Sequence, residues 1–439
     1  MSSAGKTARM GAAALAVGLS LAGPGAGLLI GPARSAQALL PAAKAGRVVV
    51  VGGGWGGLAA AAHLRRALPA WDVVLVERQA RFFSLPLSNA WLIDRIPDAS
   101  LEHDYRRAAS RHGYTFVQAE VRGIDRVSRR IDTDKGYLGY DWLVLSPGIA
   151  ENLGAWVDGD PAALGTLRAR FDGAFVGPAG VRQLKQRLHA FAGGDWVMTV
   201  PPAPYRCPPS PYERAVAIAT WFQQKQIKGR LIVLDPGAGM AGYRETFRRQ
   251  FSDLIEFKPF ARIERVDPFK KVVVTDFDEF PFAEALIAGP QQAGALVSMA
   301  GLERRREQDE ATGWADVDAR TLQSTADDRV FVIGDAVGLV SPLFGHYPKT
   351  GHMAVHHGRI AAAGIAARVK GQTFDPPFPD STCWVYDSFT PPEMVRIDAS
   401  YRIRGDGALE QTIDQVRENQ PRGEEMAWAE GMFGEMFGR

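Results

Sequence analysis

Cysteine is nearly missing: among 439 residues there are two, Cys207 and Cys383. They lack the paired spacing of a zinc finger and the Cys-x-x-Cys-His that attaches a c-type haem, which excludes both from the chain itself. An excess of one charge is missing too. Lys and Arg number 51 against 49 Asp and Glu, a formal net charge of +2, so there is no electrostatic ground for a nucleic-acid partner. Long apolar runs are confined to Gly11–Ile30, where Pro24 and several glycines argue against a permanent membrane span. No internal repeat or low-complexity tract stands out beyond that segment. What remains, 46% hydrophobic and 23% charged, suits a soluble globular protein. Roughly 400 residues after the N-terminal segment suggest two or three domains at ~100–200 residues each.

The first 38 residues read as a signal peptide. Lys6 and Arg9 supply a basic start, the small apolar stretch follows, and Ala36-Gln37-Ala38 offers a small-x-small cleavage site. The basic start has no Arg-Arg pair, so Sec export or a degenerate twin-arginine signal is required. The mature protein is expected to be periplasmic and to begin near Leu39.

Directly after the apolar run Arg47–Val51 comes Gly52-Gly53-Gly54-Trp55-Gly56-Gly57, and a second run, Val73–Val76, closes on Glu77. Strand, glycine turn, helix, strand and acid together form a dinucleotide-binding fingerprint. Gly52 permits the tight turn, Gly54 lets backbone approach the pyrophosphate, and Gly57 allows close helix–strand packing. The helix N-terminus supplies amide donors, Glu77 can hold ribose hydroxyls, and Arg78 follows it at the same site. Far downstream, Asp328–Ala336 reads as a short buried strand ending in Gly334-Asp335. Tyr140–Gly148 is a strand returning through Pro147-Gly148. Three such elements in this order are similar to flavoproteins with two dinucleotide-binding domains, in which the aspartate reaches the ribityl chain of FAD. FAD is therefore expected rather than a free nicotinamide cofactor.

A second βαβ unit is legible without its phosphate site. Gly194–Val200 and Leu231–Asp235 read as strands flanking a helix from Ala215 to Lys225. Where a glycine turn belongs stands Pro201-Pro202-Ala203-Pro204-Tyr205-Arg206-Cys207-Pro208-Pro209-Ser210-Pro211-Tyr212-Glu213-Arg214. Proline has no N–H to offer a pyrophosphate, so NADH and NADPH are not expected.

That proline-rich segment resembles the flavoprotein subunit of flavocytochrome c sulfide dehydrogenase, with sulfide:quinone oxidoreductases as more distant relatives. The resemblance runs from about Arg47 to the C-terminus. It implies an α/β protein of two Rossmann-like, glutathione-reductase-type domains plus a C-terminal α+β domain. The expected boundaries are 45–150 and 290–365 for the FAD domain, 151–289 for the second domain, and 366–439 for a flavin-pocket and partner domain. In the family a cysteine matching Cys207 lies over the flavin and forms a redox disulfide. Sulfide attacks it, electrons pass to FAD, and a c-type cytochrome removes them. Lys349-Thr350-Gly351 matches the family's helix opening at the flavin pyrimidine ring, with Lys349 expected to stabilise negative charge on reduced flavin.

Two departures follow from the same comparison. The family's second redox cysteine is expected after Gly-Asp-Ala, where this chain has Val337. Its covalent FAD attachment falls on Leu85 within Phe82–Asn89, so FAD is expected to be bound non-covalently. Cys383 aligns with a C-terminal-domain cysteine and is read as structural, with a bridge to Cys207 left open in an oxidising compartment. Cys207 has Arg206 and Arg214 close by in sequence to depress its pKa, and a vestigial thiol stands against that role.

Four of the eight histidines fall in Phe344–His357. His346 is the candidate flavin-facing acid/base, with His352 beside it. His352 and His356 are one helical turn apart, yet no third ligand is apparent, and no metal is expected. The tail from Glu424 to Phe437 forms an amphipathic helix whose acidic face suits protein packing better than lipid. The overall expectation is an exported FAD oxidoreductase acting on sulfide or a related reduced sulfur compound with a c-type cytochrome as acceptor. A quinone-reducing membrane-associated enzyme, a non-sulfur substrate and a non-catalytic binding role stand as alternatives.

Overall fold

The computed structural model describes residues 37–307 and 310–438. The expected signal peptide lies almost wholly outside them. Of that segment only Gln37 and Ala38 are described, and the Gln37 carbonyl accepts from Tyr137 N–H at 3.0 Å.

The chain enters through β1 (Arg47–Val51), whose residues are all buried. A glycine turn leads into α1 (Trp55–Ala67), and β2 (Asp72–Glu77), β3 (Thr115–Gln118) and β4 (Trp142–Leu145) follow. Four successive valines in β1 suit a strand covered on both faces, as parallel sheets require. The chain then leaves for a second sheet: β5 (Gly193–Thr199), α2 (Ser210–Lys225), β6 (Lys228–Leu234), β7 (Ile255–Lys258) and β8 (Glu284–Leu286). It returns to the first sheet as β9 (Val330–Val332) and runs on into α3 (Gly351–Val369). The first sheet has the order β9-β4-β1-β2-β3 and the second β7-β6-β5-β8, every pairing parallel. Both are doubly wound α/β sheets, whose ligands bind beyond the carboxyl ends of the strands.

An antiparallel sheet of β10 (Ser381–Phe389), β11 (Pro392–Ile403) and β12 (Leu409–Glu418) comes next, and α4 (Glu424–Phe437) ends the fold. The apolar face of α4 packs inward. Phe433 stacks on Trp55 with ring centroids 5.2 Å apart, and Phe437 stacks on His103 at 4.4 Å. Burial of a Phe or Met side chain contributes about 1.5–3 kcal/mol, and Phe433, Met436 and Phe437 are all buried. Glu435 accepts from His63 of α1 at 2.7 Å and from Arg359 of α3 at 2.9 Å, which fixes the rotation of the helix. Among the described residues no helix is long and apolar enough to cross a membrane.

The glycine turn is sterically determined. Gly52 has φ +99°, and a Cβ there would lie 2.2 Å from the Ser146 carbonyl oxygen. A Cβ on Gly57 would lie 1.9 Å from the Gly52 carbonyl oxygen. Both obstacles are backbone and cannot rotate away. Gly57→Ala is therefore expected to destabilise the protein by at least about 1–3 kcal/mol. It should also lower the flavin retained per chain, read as the thermal midpoint and the visible absorbance of the purified protein.

Candidate active site

One cavity of about 600 Å³ runs from the carboxyl ends of the first sheet to the C-terminal sheet. At one end it is lined by Gly52, Gly54, Glu77 and Arg78, in the middle by Pro147, Gly148, Gly334 and Asp335, and then by Lys349, Gly351, Cys207 and Cys383. The volume lies within the range of small-molecule and cofactor sites. Gly57 sits behind the wall, where its role is packing.

The first end fits an adenosine diphosphate moiety. A Cβ on Gly54 would meet nothing within 4 Å, so backbone faces open cavity there. Glu77 is already oriented, accepting from Gly53 N–H at 2.8 Å through Oε2 and from Gln79 N–H at 2.8 Å through Oε1. Farther along, Thr350 caps α3 by accepting from Met353 N–H at 3.2 Å. The amides of that N-terminus, beginning at Gly351, open onto the cavity with their positive dipole end.

Asp335, Arg206 and Lys349 are each held by other groups of the protein. Asp335 lines the cavity, but its Oδ2 accepts from Arg206 Nε at 2.6 Å, so the carboxylate is ion-paired. Arg206 also donates to the Phe175 carbonyl at 2.5 Å. Lys349 is fully buried, with Nζ donating to the carbonyls of Asp335 at 2.8 Å and Val337 at 2.9 Å. It stands 3.8 Å from the Trp314 ring centroid. Burial pulls its ammonium down to about 7, against the attraction of Asp335.

His346 is a correction. It does not line the cavity; it packs edge-on to Trp314 at 5.6 Å, beside the Val337 and Gly338 carbonyls. Burial and the nearby Lys349 hold it down at about 4, so it stays neutral and away from the reacting groups. The pair His352 and His356 does gain a third neighbour, Asp380. All three are occupied by hydrogen bonds, however. His352 Nδ1 accepts from Thr382 N–H at 3.0 Å, which puts the proton of the neutral ring on Nε2. His356 Nδ1 meets Asp380 at 2.8 Å, and its Nε2 faces Arg359 at 3.1 Å. His352 thus lacks the polarity of a ligating histidine, which turns a lone pair toward metal and its N–H toward an acceptor, and the lone pair of His356 is taken by Arg359.

The second correction concerns the cysteines. Val337, where the family's second redox cysteine is expected, is buried and does not line the cavity. Cys383 on β10 instead lines the same cavity as Cys207, and both are free thiols. The neighbouring Cys207, together with burial, pushes the Cys383 thiol well above its usual range. A structural role for Cys383 is thereby replaced by membership of the site. Cys207 itself has φ +50°, in the left-handed region, which costs an ordinary residue about 1–2 kcal/mol. It is pinned there by its N–H to the Lys349 carbonyl at 3.0 Å and by Ser210 N–H to its own carbonyl at 2.8 Å.

Glu213, in the first turn of α2, completes the group. Its carboxylate accepts from Asn89 Nδ2 at 2.6 Å and from Tyr386 N–H at 2.8 Å. Burial raises it to about 7 despite these bonds and the adjacent Arg214. Arg214 is buried too, donating to Asn89 Oδ1 at 3.0 Å and the Gly173 carbonyl at 2.9 Å. Sequence reading passed over Glu213, although it stands in the Tyr-Glu-Arg end of the proline-rich segment.

Asp235, at the end of β6, accepts from the Tyr212 hydroxyl at 2.6 Å and from Gly237 N–H at 2.7 Å.

Comparisons with known proteins agree with this geometry. Residues 46–169 match the pyridine nucleotide-disulphide oxidoreductase family. Residues 181–286 match the central part of the sulfide dehydrogenase [flavocytochrome c] flavoprotein chain. Mitochondrial sulfide:quinone oxidoreductase of Mus musculus is 25% identical over 66% of this chain and 66% of its own length. The sulfide dehydrogenase flavoprotein chain of Chlorobaculum thiosulfatiphilum is 52% identical over 44 residues, 10% of this chain and 92% of that sequence. Among solved structures, sulfide:quinone oxidoreductase of Aquifex aeolicus superposes with a TM-score of 0.71 at 17% identity, covering 90% of this chain and 92% of that one. The chain is thus a flavoprotein oxidoreductase related to these proteins, with the α/β fold of two Rossmann-like domains, and its cofactor is FAD.

With only two cysteines, their pairing is simple to check. Mild oxidation of the reduced protein should remove both titratable thiols and lower the mass by two hydrogens without dimer formation. Two thiols persisting under those conditions would place the sulfurs too far apart for a bond.

Proposed function

We propose that this chain is an exported FAD-dependent sulfide dehydrogenase, using a Cys207–Cys383 redox disulfide and delivering electrons singly to a c-type cytochrome. The observation that carries the reading is that the chain's two cysteines, both free thiols, line one wall of the flavin cavity together.

The chemistry assigned to the protein's own residues is as follows. Hydrogen sulfide gives one proton to the Glu213 carboxylate and its sulfur attacks the disulfide. The S–S bond breaks, leaving a persulfide on the attacked cysteine and a thiolate on the other. A hydrosulfide ion then removes the outer sulfur as H2S2, and two thiolates remain. Bound FAD supplies the two-electron sink for their rejoining. A carboxylate held near 7 is matched to this proton transfer, since a general base works best with a pKa close to the working pH. Arg214 stabilises the negative charge that gathers on the sulfurs, because even when burial lowers it to about 10 it stays protonated.

Gly52, Gly54, Glu77, Arg78, Pro147, Gly148, Asp335, Lys349 and Gly351 would hold FAD. The attachment is non-covalent, since Leu85 offers no nucleophile at the cavity wall. A soluble acceptor is favoured over a membrane quinone because the apolar face of α4 is spent on Trp55 and His103. Export rests on the N-terminal segment, and the partner on the similarity to a flavocytochrome flavoprotein chain.

Anaerobic mixing with sulfide should bleach the flavin rapidly, while NADH should not. Cys207→Ser and Cys383→Ser should each slow bleaching by roughly 10³-fold or more, given the size of effects on nucleophilic catalysis. Bleaching that survives both substitutions would sink the disulfide mechanism. A second expectation concerns pH. The ratio of wild-type to Glu213→Gln rates cancels the ionisation of sulfide itself. It should rise with pH through about 7 as the Glu213 carboxyl loses its proton; a flat ratio would remove Glu213 from proton transfer.

A further inference from the structure

The expected cleavage site of the signal peptide is part of the fold. Cleavage after Ala36-Gln37-Ala38 breaks the Ala38–Leu39 peptide, and the chain is held on both sides of Ala38. Tyr137 N–H donates to the Gln37 carbonyl at 3.0 Å, and Leu39 N–H donates to the Tyr137 carbonyl at 2.9 Å. Ala38 thus forms a parallel bridge with Tyr137. Tyr137 opens the edge strand, Tyr137–Gly139, of an antiparallel sheet with Arg130–Thr133 and Val121–Asp125. The junction lies along that strand's open edge, the side on which a sheet accepts another length of chain.

Neighbouring residues secure this docking. Leu39 and Leu40 are half-buried and pack on the core of the first domain, and Arg47 donates to the Pro41 carbonyl. Gly136 leaves room for it. A Cβ there would collide with the Gln37 carbonyl oxygen and come within 3.0 Å of Leu39 Cδ2, and its φ of +148° is one that glycine adopts most readily. The side chains of Gln37 and Ala38 are exposed, so it is the backbone that the fold withholds. A protease takes its substrate as an extended strand through main-chain hydrogen bonds. The Gln37 carbonyl and the Leu39 N–H flank Ala38, and they cannot serve Tyr137 and a protease at once.

We propose that the folded protein shields its own processing site, so that the signal peptide is removed before residues 37–40 dock on the first domain. The lack of an Arg-Arg pair in the basic start points the same way, to a chain that crosses the membrane before it folds. Hydrolysis of the Ala38–Leu39 peptide by water leaves Ala38 as a carboxylate and Leu39 as an ammonium. The new ammonium takes the place of the amide that now donates to the Tyr137 carbonyl, and its charge strengthens that bond. The inference rests on the export reading above and is independent of the sulfur chemistry.

The test exposes the full-length, FAD-loaded precursor to purified signal peptidase in detergent. The same chain, kept unfolded in a urea concentration that the protease tolerates, gives the reference rate. Cleavage of a folded chain tracks the population of its open form, so folded precursor should be cut at Ala38–Leu39 about 100-fold more slowly or less. Replacing Leu39→Ser together with Leu40→Ser loosens the docking and should raise the ratio of folded to unfolded rates about 10-fold or more. Taking the ratio cancels any change in the protease's own preference. Folded and unfolded wild type cut within about 3-fold of each other would overturn the inference, and so would a ratio that the two serines leave unmoved. No cleavage of the unfolded precursor at this bond would instead remove the processing site on which the export reading rests.

Discussion

The backbone pairing of Arg206–Cys207 with Lys349 is the constraint on which the site depends. It joins the proline-rich loop of the second domain to the entrance of α3 in the first. Cys207 cannot hold its left-handed conformation on intrinsic preference, and the hydrogen bond to the Lys349 carbonyl keeps it there. The same pairing aims Arg206 at Asp335 and leaves the Lys349 side chain to satisfy the carbonyls of Asp335 and Val337. One short bridge thus fixes a thiol, an ion pair and a buried amine around one cavity. The prolines that flank it reduce the freedom of the unfolded loop and so lessen the entropy lost on ordering it.

Desolvation decides the electrostatics of this site. Glu213 and Lys349 carry opposite charges when ionised, yet both move toward neutrality because burial outweighs their partners. Arg214 moves the same way but starts so far from neutral pH that it remains a cation. The site therefore combines one permanent charge with two groups poised to exchange protons near pH 7. Such a pairing of fixed charge and movable protons is what nucleophilic sulfur chemistry requires, since a thiolate must be both formed and held.

The parts of the site legible in the sequence are those whose signals are local. Gly52, Gly54, Gly57 and Glu77 follow from one strand, one turn and one acid within a single βαβ unit, and backbone sterics at the turn explain why those positions must be glycine. The second sheet was legible from its periodicity, and its missing phosphate site from its prolines. Cys383 was not legible as a partner, because antiparallel β10 carries no motif and reaches Cys207 only through tertiary packing. His346 misled for the converse reason: closeness in sequence to Lys349 suggested a shared pocket, whereas the hairpin carrying His346 turns it onto Trp314. Glu425, which also lines the cavity, looked like one acid on the polar face of a tail helix. Its burial depends on how α4 is rotated, and Glu435 sets that through His63 and Arg359.

The second domain shows how a fold can be kept while its ligand is dropped. In a nucleotide-binding unit the acid at the end of the second strand is free to meet ribose. Here Asp235 is closed by Tyr212, a residue of the helix that also carries Glu213 and Arg214. The helix start that would have faced a pyrophosphate instead presents Glu213 to the thiol pair. A carboxylate in the first turn of a helix is favoured by the helix dipole, so the same N-terminus that binds phosphate elsewhere can hold a catalytic base. With a proline loop in place of a glycine turn, that positive end faces a side chain of the protein itself. The domain then serves the flavin cavity through this helix start and the proline-rich loop ahead of it.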